Sequence, residues 1–250
     1  MLNPQIEFWI AAILAAFLLG IAKGGLGIAG SLVVPVIALV MSPIEGAGLL
    51  LPLFILSDIY AIWLFRGSFS AVNLRILIPA GIVGILAGFL LISKITGDTA
   101  KLIVACVGLW YLIQTTFLRL SKLDRPPQSA GVVRGLFWGT LSGFTSYISH
   151  SGGPPFQAYL LPQKLPKLVF AGTSTLFFGI VNFLKLPPFI FAGQITYASI
   201  ERVIFLIPVA LVGARIGFWL VHIMPERVFY TMVELALLAV TLKLFWDVLF

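Results

Sequence analysis

From Phe8 onward the chain is a series of long apolar runs parted by short polar breaks. Runs near 46–65, 76–92 and 99–118, and again near 168–186, 201–221 and 227–248, each hold the roughly 20 residues that a helix needs to cross a bilayer core. The runs are apolar on all sides, whereas a membrane-spanning strand would alternate apolar and polar residues over ~10 positions. Helical spans are therefore predicted and a barrel is excluded. Two further stretches are longer and are interrupted by glycine. Phe8 to Ala22 leads into KGGLGIAGSLVVP and on to Met41, and Val132 to Ile148 leads into SHSGGPPFQAYLLP. Gly24-Gly25 and Gly152-Gly153-Pro154-Pro155 cannot sustain a regular helix, because glycine lacks helical preference and proline lacks a donor. Each broken stretch either crosses once, giving parallel repeats, or doubles back, giving an inverted repeat. The length of Phe8 to Met41 and the absence of Lys and Arg before it favour doubling back.

The most polar stretch, SKLDRPPQSA at 121–130, reads as an extended connector. On either side of it the sequence repeats itself. LIPAGIVGILAGFLL begins at Leu77 and LIPVALVGARIGFWL at Leu206, 129 positions later, with prolines and glycine pairs in register. Upstream of these, Phe54 corresponds to Phe178 and Asp58 to Asn182. The expected organisation is an all-α polytopic membrane protein of two homologous halves, residues 1–120 and 131–250, joined by a basic linker at 121–130. Each half holds a glycine-broken segment and three transmembrane helices.

Composition sharpens the class. Hydrophobic residues make up 60% of the chain and charged residues 10%, with mean hydropathy +1.09. Soluble chains carry about a quarter charged residues, so lipid is the expected solvent. The net charge of +7 does not point to nucleic acid. Its densest cluster, Arg119, Lys122, Arg125 and Arg134, lies in and beside the connector and fits the positive-inside rule. Met1 to Glu7 has no basic leader and no cleavage site, so the first apolar stretch is read as retained. Cys106 is the only cysteine, and there are two histidines. A Cys-rich or intramembrane metal site is excluded on that count, and no cofactor is expected. His150 between Ser149 and Ser151 is no nucleophile–base arrangement, since such partners are defined by geometry and not adjacency. An enzyme is not expected.

Matched breaks in two halves point to a transporter site, because unwound backbone in lipid has to line a cavity or be covered by protein. Broken helices also aim free N–H groups at a bound ion. Aligning Pro35 with Pro162 sets Lys23 opposite His150 and Gly25 opposite Gly152. Two cationic side chains at equivalent breaks favour a small anion. The candidate ligands are Lys23, Gly24, Gly25, Gly27 and Ser31 in the first half. In the second they are Ser149, His150, Ser151, Gly152, Gly153, Pro154, Gln157, Thr173, Ser174 and Thr175. Against this stand bland readings: Lys23 as a side chain snorkelling to an interface, His150 as a packing residue, and hydroxyls bonded to their own helix. Asp58 has two readings, a structural partner for Arg215 or the proton carrier of a coupled cycle; the coupling candidates are Asp58, its uncharged counterpart Asn182 and Arg215, with His150 as a further proton carrier. Gly84, Gly88, Gly135, Gly139, Gly143, Gly213 and Gly217 are read as packing positions.

The two motifs, KGGLGIAGSLVVP and SHSGGPPFQAYLLP, resemble the TauE/SafE family of membrane transporters, and the resemblance covers nearly the whole chain. It implies export of sulfite or a small organosulfonate such as sulfoacetate across the bacterial inner membrane by a multi-pass protein. The expectation is a secondary transporter working by alternating access, with the lipid bilayer, a small anion and protons as its partners. An anion channel and an importer of a sulfur compound are the alternatives.

Overall fold

The computed structural model describes residues 4–41, 43–91, 97–120, 126–149, 151–191 and 197–249. Its helices are α1 (Pro4–Lys23), α2 (Val33–Ala38), α3 (Pro43–Leu64), α4 (Ala71–Leu91), α5 (Gly97–Leu120), α6 (Val132–Ser149), α7 (Gly153–Leu160), α8 (Lys167–Phe191), α9 (Tyr197–Ile223) and α10 (Glu226–Leu249). Tight 3-10 turns at Gly27–Leu32 and Leu161–Gln163 precede α2 and follow α7. No strand occurs among the described residues.

Five stretches are long and apolar enough to span a bilayer: Gln5–Lys23, Ala71–Leu91, Lys167–Pro187, Glu201–Ile223 and Glu226–Val248. Shorter apolar helical stretches run at Leu49–Leu64 and Lys101–Phe117. Ile10, Ile13 and Leu14 on α1, Val83, Leu86 and Leu90 on α4, and Phe205, Val212 and Trp219 on α9 are exposed. A helix in water turns a polar face outward; these turn apolar ones, as helices in lipid do. The chain is an all-helical, multi-pass membrane protein.

It forms two compact units, and each draws on both sides of the connector. One comprises Met1–Phe69 with Lys167–Val233, the other Ser70–Pro166 with Glu234–Phe250.

In the first unit, Ala12, Ala15, Ala16 and Leu19 of α1 share a core with Val33 and Ile37 of α2, Leu49, Leu50 and Leu53 of α3, and Val203, Leu206 and Ala210 of α9. The short α2 thus packs on α1, the helix it follows. Helices α1 and α9 cross at contact distance through Gly20, Gly24, Gly213 and Gly217. A Cβ on any of these would lie closer than 3.0 Å to backbone of the other helix. Van der Waals packing between such small residues is the main attraction open to helices in lipid.

In the second unit, α4 and α6 cross in the same manner through Gly84, Gly139 and Gly143. Val104 and Ala105 of α5 pack on Leu244 of α10. The side chains of Asn73 and Gln163 exchange hydrogen bonds of 2.9 and 3.2 Å, which pins the start of α4 to the turn after α7.

The two crossings use the same contacts. A Cβ on Gly213 would meet Phe17 O and Ile21 N; one on Gly84 would meet Thr140 O and Phe144 N. A Cβ on Gly20 would overlap Ala210 O, and one on Gly143 would overlap Gly81 O. The contacting residues of α4 and α9 lie 129 positions apart (84 and 213, 81 and 210), and those of α1 and α6 lie 123 apart (17 and 140, 20 and 143).

Candidate functional site

The site begins where α1 stops. Gly25 has φ of +107°, a conformation that side chains with a Cβ rarely adopt. Its N–H donates to Ala22 O at 3.1 Å, and Leu26 N–H donates to Ile21 O at 3.3 Å. That pair of bonds closes the helix as a Schellman motif. Gly24 N–H donates to Gly20 O at 2.8 Å, and Gly24 itself sits against Ala214 of α9. The expectation that Gly24 and Gly25 present free N–H groups to an anion is corrected here. Both donors are spent inside α1, one glycine serves close packing and the other the left-handed turn. Gly27 is exposed.

Lys23 is thus held in the last turn of α1, where the helix dipole favours a cation. Its ammonium lies 5.1 Å from the Phe54 ring centroid and 2.5 Å from Oδ1 of Asp58. Phe54 and Asp58 are four apart on α3 and so share a face. The side chains of Lys23 and Asp58 are 13% and 3% exposed, so this is a buried ion pair. The contact is an ion pair and not a directed hydrogen bond. Directed bonding comes from the other side, where Asn182 Nδ2 donates to Asp58 Oδ2 at 2.8 Å. Asn182 Oδ1 in turn accepts from Lys185 Nζ at 3.3 Å. Asn182 and Lys185, three apart on α8, carry the chain of contacts on from α3.

The predicted pairing of Asp58 with Arg215 does not form. Arg215 is exposed on α9 with its guanidinium 5.9 Å from the Phe218 ring, and Lys23 takes its place at Asp58. Lys185, which was not singled out from the sequence, lies inside α8 and is 1% exposed. The legible signal was Asn182-x-x-Lys185 within a predicted span, a spacing that puts both on one helix face.

The hydroxyls of α8 serve the fold. Thr173 Oγ1 donates to Val169 O of its own helix at 2.6 Å. Thr175 Oγ1 donates to Lys23 O at 3.4 Å, tying α8 to the end of α1. Ser174 is half-buried.

The second break lies in the other unit. Gly152 is buried and its carbonyl accepts from Ser142 Oγ at 2.7 Å. Ser151 N–H reaches Thr145 O at 3.4 Å. Gly153 starts α7, followed by Pro154 and Pro155, both buried. Proline is well suited to a first turn, but these two remove the donors that a bound anion would use there. Gly153 keeps its N–H, while Phe156 N–H returns to Gly152 O at 3.3 Å. Gln157 Oε1 is a buried acceptor with no hydrogen-bond donor among the described residues. His150 and the side chains of Ser31 and Ser149 lie outside the described residues. No group of three metal-ligating side chains occurs among those that are described.

Apolar outward faces with a lysine–aspartate–asparagine–lysine chain folded inside them define a polytopic membrane protein that keeps charge within its helix bundle. Such charges mark transport pathways far more often than they serve stability. The family model described as sulfite exporter TauE/SafE matches residues 12–244, and the chain belongs to that family of membrane transporters. No curated protein and no solved structure matches it. Membership makes this a membrane protein of the class that exports sulfite and other sulfur compounds, with no enzymatic activity implied.

Proposed function

We propose that the protein is a secondary transporter of the bacterial inner membrane that exports a small sulfur-containing anion, sulfite or an organosulfonate such as sulfoacetate, by alternating access. The observation that carries the reading is the buried Lys23–Asp58 pair in a chain of this family. An ion pair taken out of water is a poor source of stability, since desolvation offsets most of its attraction. Its retention among apolar helices is accounted for by work done on charge.

In this reading Asp58 is the coupling group. Protonating its carboxyl removes the attraction on Lys23, so proton binding and rearrangement of α1 against α3 become one event. His150, Ser151, Gly153 and Gln157 in the second unit remain candidate substrate contacts.

Alternating access has its structural counterpart in a duplicated chain. The α1–α9 and α4–α6 crossings repeat contact for contact, which supports two halves of one ancestry. Asp58 and Asn182, equivalent in the repeat, touch each other. Contact between equivalent residues is what halves related by a local twofold produce. The return of α2 onto α1 supports the inverted arrangement.

The test is flux in proteoliposomes. A transporter gives saturable sulfite or sulfoacetate movement, counterflow, and acceleration by a proton gradient that Asp58→Asn abolishes. Flux that neither saturates nor shows counterflow would mark a channel instead.

A further inference from the structure

Lys185 stands unbalanced. Among the described residues Asp58 is the one buried carboxylate, and its nearest cation is Lys23. Lys185 is 1% exposed, and its ammonium makes one hydrogen bond among the described residues, to the neutral amide of Asn182. An ammonium has three protons to donate. Among the described residues, Lys23, Lys185 and Asp58 leave a formal surplus of one positive charge in this cluster. A buried cation without a counter-ion is strongly disfavoured, more so among apolar helices. Asn182 transmits this arrangement: with Nδ2 given to Asp58, its Oδ1 necessarily faces the cation.

We propose that Lys185 is the cation that holds the transported anion, which completes the charge balance of the Lys23–Asp58–Asn182–Lys185 chain. The ligand class is a small singly charged oxyanion, hydrogen sulfite or a sulfonate, whose oxygens accept the free ammonium protons. The proposal rests on the reading of the chain as an exporter of such anions. It assigns the two lysines different duties: Lys23 belongs to the carboxylate, Lys185 to the substrate. It also makes Asn182 the positioning residue between them, and explains why the second half carries Asn where the first carries Asp. A carboxylate at 182 would neutralise Lys185 permanently.

The experiment measures KM and kcat for sulfite and sulfoacetate in proteoliposomes of the wild type, Lys185→Gln, Lys185→Arg and Asn182→Asp, with Lys101→Gln as a surface control. Loss of a charge-assisted contact predicts a KM raised about tenfold or more for both anions in Lys185→Gln. Asn182→Asp gives the same loss of affinity, because a carboxylate at 182 occupies the Lys185 ammonium in place of the anion. Lys185→Arg keeps KM within about threefold, since the cation and its donors survive. A wild-type KM in either Lys185→Gln or Asn182→Asp overturns the proposal. Should Lys185→Gln fail to reach the membrane, Asn182→Asp decides alone. A wild-type protein that moves neither anion instead defeats the functional reading, and this assignment with it.

Discussion

Asn182 Nδ2 of α8 donates to Asp58 Oδ2 of α3 across 2.8 Å, between residues 124 apart in the chain. An acid faces an amide. The pair can therefore share a hydrogen bond of fixed direction, where two carboxylates would repel and two amides would leave Lys23 without a counter-ion. The pairing of acid with amide is what lets a single negative charge be held between two lysines.

Removing Lys23 leaves Asp58 buried and unpaired. Breaking a buried pair from one side costs about 3–5 kcal/mol, far more than the pair contributes. Lys23→Met is therefore expected to lower the unfolding temperature in detergent markedly, as is Asp58→Asn to a smaller degree. The double variant Lys23→Met/Asp58→Asn should recover much of the loss, giving a coupling energy that a double-mutant cycle reads directly. Additive losses would mean that the two side chains do not interact in the folded protein.

Gly25 tests the cap. An alanine there must hold a left-handed backbone, at a cost of about 1–2 kcal/mol, and its Cβ would lie 3.1 Å from Ala171, Phe65 and Val221. Gly25→Ala should lower thermal stability while the folded fraction keeps the wild-type KM for sulfite. A raised KM at unchanged stability would return Gly25 to the substrate.

Gly84 and Gly213 test the repeat. Each sits where a methyl group would press on backbone of the crossing helix, and overpacking costs about 1–3 kcal/mol. Gly84→Ala and Gly213→Ala should destabilise to a similar extent in thermal unfolding of the purified protein. Tolerance of one and collapse of the other would show that the crossings are not equivalent in energy.

His150 rests on sequence alone. An unperturbed histidine titrates near pH ~6.5, and a nearby anion favours its protonated form. Binding of sulfoacetate, whose sulfonate does not titrate in this range, should weaken as pH rises through the pKa of the site. His150→Gln should flatten that response. Should the variant keep both the affinity and the pH profile of the wild type, His150 is a packing residue.

The polar residues of this cluster were legible one at a time. Lys23, Asp58 and Asn182 stand out in the sequence because a charged or amide side chain inside an apolar run needs a reason. Their partners were not legible. Helices cross by whichever faces carry small residues, and which crossing brings Lys23 rather than Arg215 to Asp58 depends on rotation of α1 and α9 about their axes. Lys185 escaped notice because it stands near the end of its run, where a lysine ordinarily reaches for water.

The sequence by itself determined that this is a helical, multi-pass membrane protein of the TauE/SafE family, built of spans that its apolar runs delimit. Those properties follow from local composition, since lipid requires each span to satisfy its own backbone and to be apolar along its length. Tertiary structure alone decided what the glycines and charges do. The KGG motif reads as an anion cradle in one dimension. In three it is a helix cap and a packing face, because the N–H groups of Gly24 and Gly25 turn back to carbonyls of α1. Likewise four polar side chains spread from position 23 to position 185 become one chain of contacts only when α1, α3 and α8 come together, and no periodicity along the sequence records that meeting.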